Sequence, residues 1–313
     1  MQTEADFPRW YSMDHPALRQ ADCELWLCQP TDLAAAVSGN KVAKLKYPLM
    51  NAKTFGLKGI ATFGGAFSNH LLATAAACEQ QGMPSLGFVR TDHLDPDNPT
   101  LQRCRRFGMS LKVVSRADYR RRSDPTWLAE LAQGYPGWQW VPEGGTSPSG
   151  VAGVREWNFT QSPQGALTHL VTATGSGGTL AGLALGHPDL TVVGMAIVKD
   201  PSLSHRIRQL SEGQSNWHLD MTSVGSGYGR FTTEQLALCL DIRQQLKVSL
   251  EPIYTGKALS GLLERLSQGH FQPGSRIGFV HTGGLQGLDG LHYRGLITLA
   301  HWQALATRDG LTQ

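Results

Sequence analysis

The stretch IATFGGAFSNHLLATAAACEQQG, from Ile60 to Gly82, decides the fold class. Ile60 to Phe63 is an apolar run of strand length, Gly64-Gly65 reads as a loop, and Ser68 to Gln81 reads as a helix that Gly82 stops. A strand, a glycine turn and a helix in that order make the first half of a crossover unit, which predicts a parallel sheet. The rhythm continues outward. Ser85 to Val89, Leu111 to Val114 and Gln139 to Val141 read as strands, with a helix such as Pro125 to Ala132 among them. Further on, His169 to Thr172, Thr191 to Ile197 and Arg276 to His281 read as buried strands, the first feeding a helix at Thr179 to Leu185. The fold class is therefore α/β. Open parallel sheets bind ligands at the carboxyl ends of their strands, where the glycine-rich segments fall.

Composition narrows the function. A chain of 313 residues leans towards two domains of roughly 100–200 residues each. With 41% hydrophobic and 17% charged residues it has the makeup of a globular protein rather than a disordered one. A net charge of +3 is too small for the field of a nucleic-acid binder. Two basic runs, Arg103, Arg105 and Arg106, then Arg120 to Arg122, lack interleaved aromatics and read as a solvated face, against a polyanion or subunit contact. The five cysteines are odd in number and none pairs at CxxC spacing, so reduced, buried thiols of a cytoplasmic protein are expected, with no metal site. MQTEADFPRW carries acids where a signal peptide has a basic segment, and no apolar run reaches membrane-spanning length.

Four segments carry the chemistry. TATGSGGTLAGL, Thr172 to Leu183, follows a strand and opens a helix, so backbone N–H groups and the helix N-terminus can converge on an anion such as phosphate. It is neither a Walker A loop nor a dinucleotide fingerprint, because no Gly-Lys-Ser/Thr follows and Leu180 stands where the third glycine belongs. A merely tight strand-to-helix turn is the bland alternative. In SGNKVAKLKY, Ser38 to Tyr47, Lys41 follows a Ser-Gly-Asn turn and Lys44 lies three residues on, on the same side if this opens a helix. Each reads either as a surface charge or as an amine whose pKa burial has lowered. FGGAFSNHLLATAAA, Phe63 to Ala77, puts Ser68, Asn69 and His70 at a helix start, as an N-cap or as a carboxylate site, with His70 as capping or pocket lining. FVHTGGLQG, Phe279 to Gly287, runs a strand into another paired glycine.

Taken together, these segments resemble the family of 1-aminocyclopropane-1-carboxylate deaminases and D-cysteine desulfhydrases, from about Leu25 to about Gly290 and in the family's order. The resemblance implies a tryptophan-synthase-β-like fold of type II pyridoxal-phosphate enzymes: two open, twisted, mostly parallel sheets flanked by helices. It implies residues 1–50 and 146–313 as a large cofactor-binding domain and 51–145 as a smaller α/β domain. By the same resemblance, Lys41 is the Schiff-base lysine, Asn69 bonds the cofactor's phenolic oxygen and Ser68 contacts the substrate. Thr174, Gly175, Ser176, Gly177, Gly178 and Thr179 form the phosphate cup with help from Lys44. Thr282 partners the pyridine nitrogen, and Tyr228, in SGYGR, reaches the pocket. LEPIYTGKALSGL, Leu250 to Leu262, and VPEGGTSPSGVAG, Val141 to Gly153, are similar to the family's YTGKAM stretch and its glycine-rich hinge.

Departures bear on the substrate. The family's basic KRDDL segment is QPTDL here, Gln29 to Leu33, its arginine two residues past the lysine is Ala43, and a tyrosine ten residues past the HTGG histidine is Leu291. The implied activity is a lyase or deaminase acting on a small amino acid, with D-cysteine-type β-elimination to a keto acid and ammonia. A hydroxyl such as Thr282 cannot protonate the pyridine nitrogen as a carboxylate would, which favours elimination over transamination. The alternatives are ring opening of a cyclopropane amino acid, and a homologue that binds cofactor or amino acid without turnover. The expected partner is a small amino acid, with neither nucleic acid nor membrane, and the expected assembly a homodimer.

Overall fold

The computed structural model describes residues 7–225, 227 and 229–306. The chain begins with β1 (Arg9–Met13), α1 (Pro16–Ala21) and β2 (Glu24–Gln29), then α2 (Asn40–Thr54). It continues through β3 (Gly59–Gly65), α3 (Asn69–Gln80), β4 (Ser85–Arg90), α4 (Pro99–Arg106) and β5 (Met109–Val114). Next come α5 (Arg116–Arg120), α6 (Pro125–Gln133), β6 (Trp138–Val141), α7 (Pro148–Arg155) and a short hairpin, β7 (Gln161–Ser162) with β8 (Gly165–Ala166). The remainder is β9 (His169–Thr174), α8 (Gly178–Gly186), β10 (Thr191–Ala196), α9 (Leu203–Leu210), β11 (Trp217–Asp220) and α10 (Thr233–Leu246). It closes with α11 (Thr255–Ser267), β12 (Arg276–Val280), α12 (Gly287–Tyr293) and α13 (Leu299–Ala306).

Two sheets result. The larger runs β1-β2-β12-β9-β10-β11 and is parallel except where β1 folds back on β2. The smaller runs β5-β4-β3-β6 and is parallel throughout. The α/β reading and the mostly parallel pairing both hold. The strand, loop and helix over Ile60 to Gly82 form in that order, but Gly64-Gly65, read as the loop, pair with β4 as the end of β3, so the turn falls at residues 66–68. Ser68 caps α3 by accepting from the Leu71 N–H at 3.3 Å, and Gly82 turns the chain away at a left-handed φ of 65°.

Apolar faces decide what covers each sheet. On one side of the large sheet, Leu25, Leu27, Val171, Ile277 and Phe279 pack on Leu259, Leu262 and Leu266 of α11 and on Leu291 of α12. On the other side, Leu170 and Val192 pack on Leu180 and Leu183 of α8 and on Val151 and Val154 of α7. The small sheet likewise holds Leu71, Leu101 and Val89 together on one face, and Phe63, Phe88 and Tyr119 on the other. Cys28, Cys78, Cys104 and Cys239 are buried and, with the half-buried Cys23, are free thiols. Of the basic runs, Arg103 pairs with Asp289 at 3.3 Å, Arg121 with Asp124 at 3.6 Å and Arg122 with Glu143 at 2.5 Å, so part of that charge is neutralised within the chain. No helix among the described residues is long and apolar enough to cross a membrane.

Candidate active site

The lysine segment is fixed before either lysine acts. Gly39, at φ 57° and ψ −139°, turns the chain into α2, and its N–H donates to Thr31 Oγ1 at 2.7 Å. Asn40 then ties three segments together. Its N–H donates to the Thr282 carbonyl at 3.2 Å, its Nδ2 to Thr179 Oγ1 at 2.9 Å, and its Oδ1 accepts from Lys41 Nζ at 2.8 Å. Lys41 is half-buried, and burial lowers its pKa to about 8. Lys44, one turn on, is fully buried and donates to the Gly144 carbonyl at 3.1 Å and Thr146 Oγ1 at 3.3 Å. Burial first, and the Lys41 charge second, push its pKa well down.

The cup lies opposite. Thr174 ends β9, and Gly177, left-handed at φ 91°, turns the chain so that α8 begins at Gly178. Ser176 Oγ and Thr146 Oγ1 share a hydrogen bond of 2.5 Å. An added Cβ on Gly178 would stand 3.0 Å from Thr146 Oγ1 and 3.2 Å from Lys44 Nζ, so the bare backbone here faces the Lys44 amine and the Thr146 hydroxyl. Helix N-terminus, lysine amine and hydroxyls together make a site for an anion, which would favour the protonated amine. Beside Gly175 stands the ring of Tyr254, its Cε1 3.6 Å from where a Cβ would be.

The third wall comes from the start of α3 and the paired-glycine loop after β12. Asn69 Nδ2 donates to the Gly284 carbonyl at 3.3 Å, while its buried Oδ1 has no partner among the described residues. A Cβ on Gly284 would stand 2.6 Å from Asn69 Nδ2, so a side chain there would push the amide aside as well as strain a φ of 93°. His281 fixes the HTGG loop: its Nδ1 accepts from the Gly283 N–H at 2.9 Å, and its Nε2 lies 2.8 Å from the Ser249 carbonyl. Full burial holds its pKa at about 4, so the ring is neutral, with Nε2 the donor. Thr282 is half-buried beside it, and its hydroxyl has no partner among the described residues. His70 is not the cap of α3. It is buried 2.8 Å from Thr62 Oγ1, whose own proton goes to the Val141 carbonyl at 2.7 Å, so His70 Nε2 is the donor.

Lys41, Lys44, Thr174 to Thr179, Asn69 and Thr282 are thus joined through Asn40, Thr146 and Gly284. Ser68 lies at the adjoining start of α3, and Tyr228 lies outside the described residues. The residue reading missed Asn40, Thr146 and Tyr254. Asn40 sits in the quoted SGNK turn and Thr146 in the EGGT loop, and only tertiary contact shows what each joins. The residues fit pyridoxal phosphate on three observations: an amine lowered to about 8, an anion cup that a Cβ at Gly178 would invade, and an unpartnered amide oxygen at Asn69.

Two mostly parallel sheets with a lysine helix, an anion cup and a hydroxyl-bearing loop define the tryptophan-synthase-β-like class of pyridoxal-phosphate enzymes. Residues 19–283 match the profile of the family described as pyridoxal-phosphate dependent enzyme, and the chain belongs to that family, with pyridoxal phosphate as its cofactor. It is 30% identical over 298 residues to a putative 1-aminocyclopropane-1-carboxylate deaminase of Pyrococcus horikoshii, covering 88% of each chain. It is 29% identical over 294 residues to a D-cysteine desulfhydrase of Yersinia enterocolitica, covering 86% of this chain and 89% of that one. The crystal structure of an ACC deaminase homologue superposes with a TM-score of 0.75 at 23% identity, over 92% of this chain and 93% of the other.

Proposed function

We propose that this enzyme eliminates the β-substituent of a small amino acid to give a keto acid and ammonia, as a D-cysteine desulfhydrase would. The observation that carries this reading is the Lys41 amine, lowered to about 8 and bonded to Asn40, the residue that ties it to both ligand loops. In this reading Lys41 holds the cofactor's aldehyde carbon and then moves the proton at Cα, a task suited to an amine whose pKa lies near the working pH. Lys44, Thr146 and the Thr174–Thr179 backbone hold the phosphate, Asn69 bonds the phenolic oxygen, and Thr282 serves the ring nitrogen. Ser68 Oγ accepts from the Leu71 N–H, which leaves its hydroxyl proton for a substrate carboxylate. Tyr228 is assigned to the substrate pocket. When bound, pyridoxal phosphate supplies the electron sink for the developing carbanion. Residues 1–50 with 146–313, and residues 51–145, are assigned as the two domains that flank this site.

Ring opening of a cyclopropane amino acid is the second reading, and the side chain at 291 counts against it. Leu291 is fully buried among Leu262, Leu266 and Leu288, and offers no hydroxyl. Keto-acid release from D-cysteine, L-cysteine, D-serine derivatives and 1-aminocyclopropane-1-carboxylate, under identical conditions, tests both. Efficient 2-oxobutyrate formation from the cyclopropane would reverse the ranking. No turnover of any of them by cofactor-loaded protein would favour a binding-only homologue.

A further inference from the structure

Arg90 ends β4, and its register partner across the small sheet is Gly65, the last residue of β3. Gly65 opens the loop to Ser68 and Asn69, and its carbonyl accepts the Ser68 N–H at 2.9 Å. A Cβ on Gly65 would stand 3.5 Å from Arg90 Nη2, so the guanidinium lies directly over that loop, at the carboxyl edge where ligands of a parallel sheet bind.

Its position is prepared and its charge is unused. The guanidinium stacks on the buried ring of Tyr119, 5.1 Å from the centroid, and Tyr119 is anchored by donating its hydroxyl to Glu143 at 2.5 Å. A second guanidinium, that of Arg122, lies 4.7 Å from the same centroid, but it pairs with Glu143 at 2.5 Å. Glu143 thereby neutralises Arg122 and leaves Arg90 its full charge. No carboxylate among the described residues pairs with Arg90, not even Asp92 two residues on, and Asp95 accepts from Tyr293 at 2.6 Å instead. An ordinary surface arginine keeps its head free in water. This one is held against a ring, beside the loop that carries Ser68 and Asn69.

We infer that Arg90 selects amino acids whose β-substituent carries a negative oxyanion, such as a sulfonate or a phosphate. The inference rests on the elimination reading above and names the substrate class of that site. The step balances without an oxidant. The Cα proton goes to the Lys41 amine, the Cβ–X bond breaks with its electron pair on X, and water replaces the amino group, so that amino acid plus water gives pyruvate, ammonia and HX. A planar guanidinium can grip such an X through two parallel N–H···O bonds, which a neutral thiol or hydroxyl cannot match.

The test compares matched substrates on the cofactor-loaded protein: cysteate and O-phosphoserine against cysteine and O-acetylserine, in both enantiomers. The anionic pair should win in kcat/KM, and Arg90→Gln should reduce that value on the order of 10–100-fold, through KM, while changing the neutral pair less than about threefold. Arg90→Lys should recover part of the loss. Because the group is exposed, the preference should shrink at high salt. Calorimetric binding of cysteate to wild type and to Arg90→Gln gives a readout that needs no turnover, with circular dichroism confirming that both variants fold. A neutral substrate preferred by wild type, or equal losses on both classes in Arg90→Gln, would overturn the inference. Anion-selective binding without keto acid from any substrate would retain the role of Arg90 and remove the elimination reading.

Discussion

Gly39 lies so close to Thr282 that an added Cβ would stand 2.2 Å from the Thr282 carbonyl oxygen, the same oxygen that accepts the Asn40 N–H at 3.2 Å. The loop that presents Lys41 and the loop that presents Thr282 are therefore one packed unit, and only a residue without a side chain lets them meet. Gly39→Ala should separate them. The left-handed φ of 57° adds about 1–3 kcal/mol of strain to the clash. The expected outcome is a melting temperature lowered by several degrees together with weakened retention of pyridoxal phosphate. Thermal melts with and without cofactor check it, and a wild-type cofactor affinity would show that the loops move apart without harm.

The two glycines at the start of α8 should respond differently. A Cβ on Gly177 would meet Ile207 Cγ1 at 2.7 Å and Leu203 Cδ1 at 3.3 Å, both in the core, and its φ of 91° disfavours any side chain. The atoms nearest a Cβ on Gly178 belong instead to the cup, Thr146 and Lys44. Gly177→Val should thus destabilise the fold, whereas Gly178→Ala should leave it standing and weaken phosphate retention, on the order of tenfold. Equilibrium dialysis of cofactor beside urea unfolding separates the two effects. Equal loss of stability in both variants would count against the cup.

Glu251 should set part of the pH dependence of stability. It is fully buried and accepts from the N–H groups of Ile253 at 2.8 Å, Tyr254 at 3.0 Å and Thr255 at 2.8 Å, holding the start of α11. Burial nonetheless pushes its pKa up to about 7, against the pull of those donors. The native carboxyl keeps a proton that the unfolded chain releases near pH 4.3. Its stabilising share is full below that pH and is lost as pH rises through about 7. His281, held at about 4, has the opposite sign: stability rises with pH between there and its unfolded value of about 6.5. Glu251→Ala should orphan the three N–H groups at a cost of about 3 kcal/mol. It should also flatten the fall between pH 4 and 7. Unfolding free energies of wild type and variant across that range give the difference curve, and parallel curves would contradict the assignment.

Local order was legible in the sequence, and tertiary convergence was not. The helix read over Ser68 to Gln81 spans Asn69–Gln80 with Ser68 as its cap, because capping hydroxyl and stop glycine act within one turn of the chain. The family segments pointed to Lys41, Lys44 and the Thr174–Thr179 loop, and the fold brings these together through Asn40 and Thr146. Lys44 alone reads as a surface charge, and its full burial depends on the Gly144 carbonyl, a hundred residues away. Glu251 carried a usable signal, an acid four residues before the first turn of a helix, and was not read. Arg90 carried none, since its meaning comes from Gly65 across a strand pair and Tyr119 beneath it.

Restoring the family tyrosine should not restore ring opening. Leu291 has no exposed surface and packs within the core cluster that includes Leu259, Leu262, Leu288 and Ile297. Two residues on, Tyr293 faces outward, donates its hydroxyl to Asp95 at 2.6 Å and lies tilted against Phe67 with centroids 6.2 Å apart, so its hydroxyl is engaged at the surface. Leu291→Tyr must therefore insert a ring and a hydroxyl into close-packed aliphatic surroundings. Overpacking of this kind costs about 1–3 kcal/mol, and an unpartnered buried hydroxyl adds about 1–3 more. We expect a destabilised variant with no gain in 2-oxobutyrate from 1-aminocyclopropane-1-carboxylate, measured beside its keto-acid yield from β-substituted amino acids. A stable Leu291→Tyr variant that opens the ring would show that α12 can turn this position into the pocket, and would make ring opening one substitution away from the elimination proposed for the native chain.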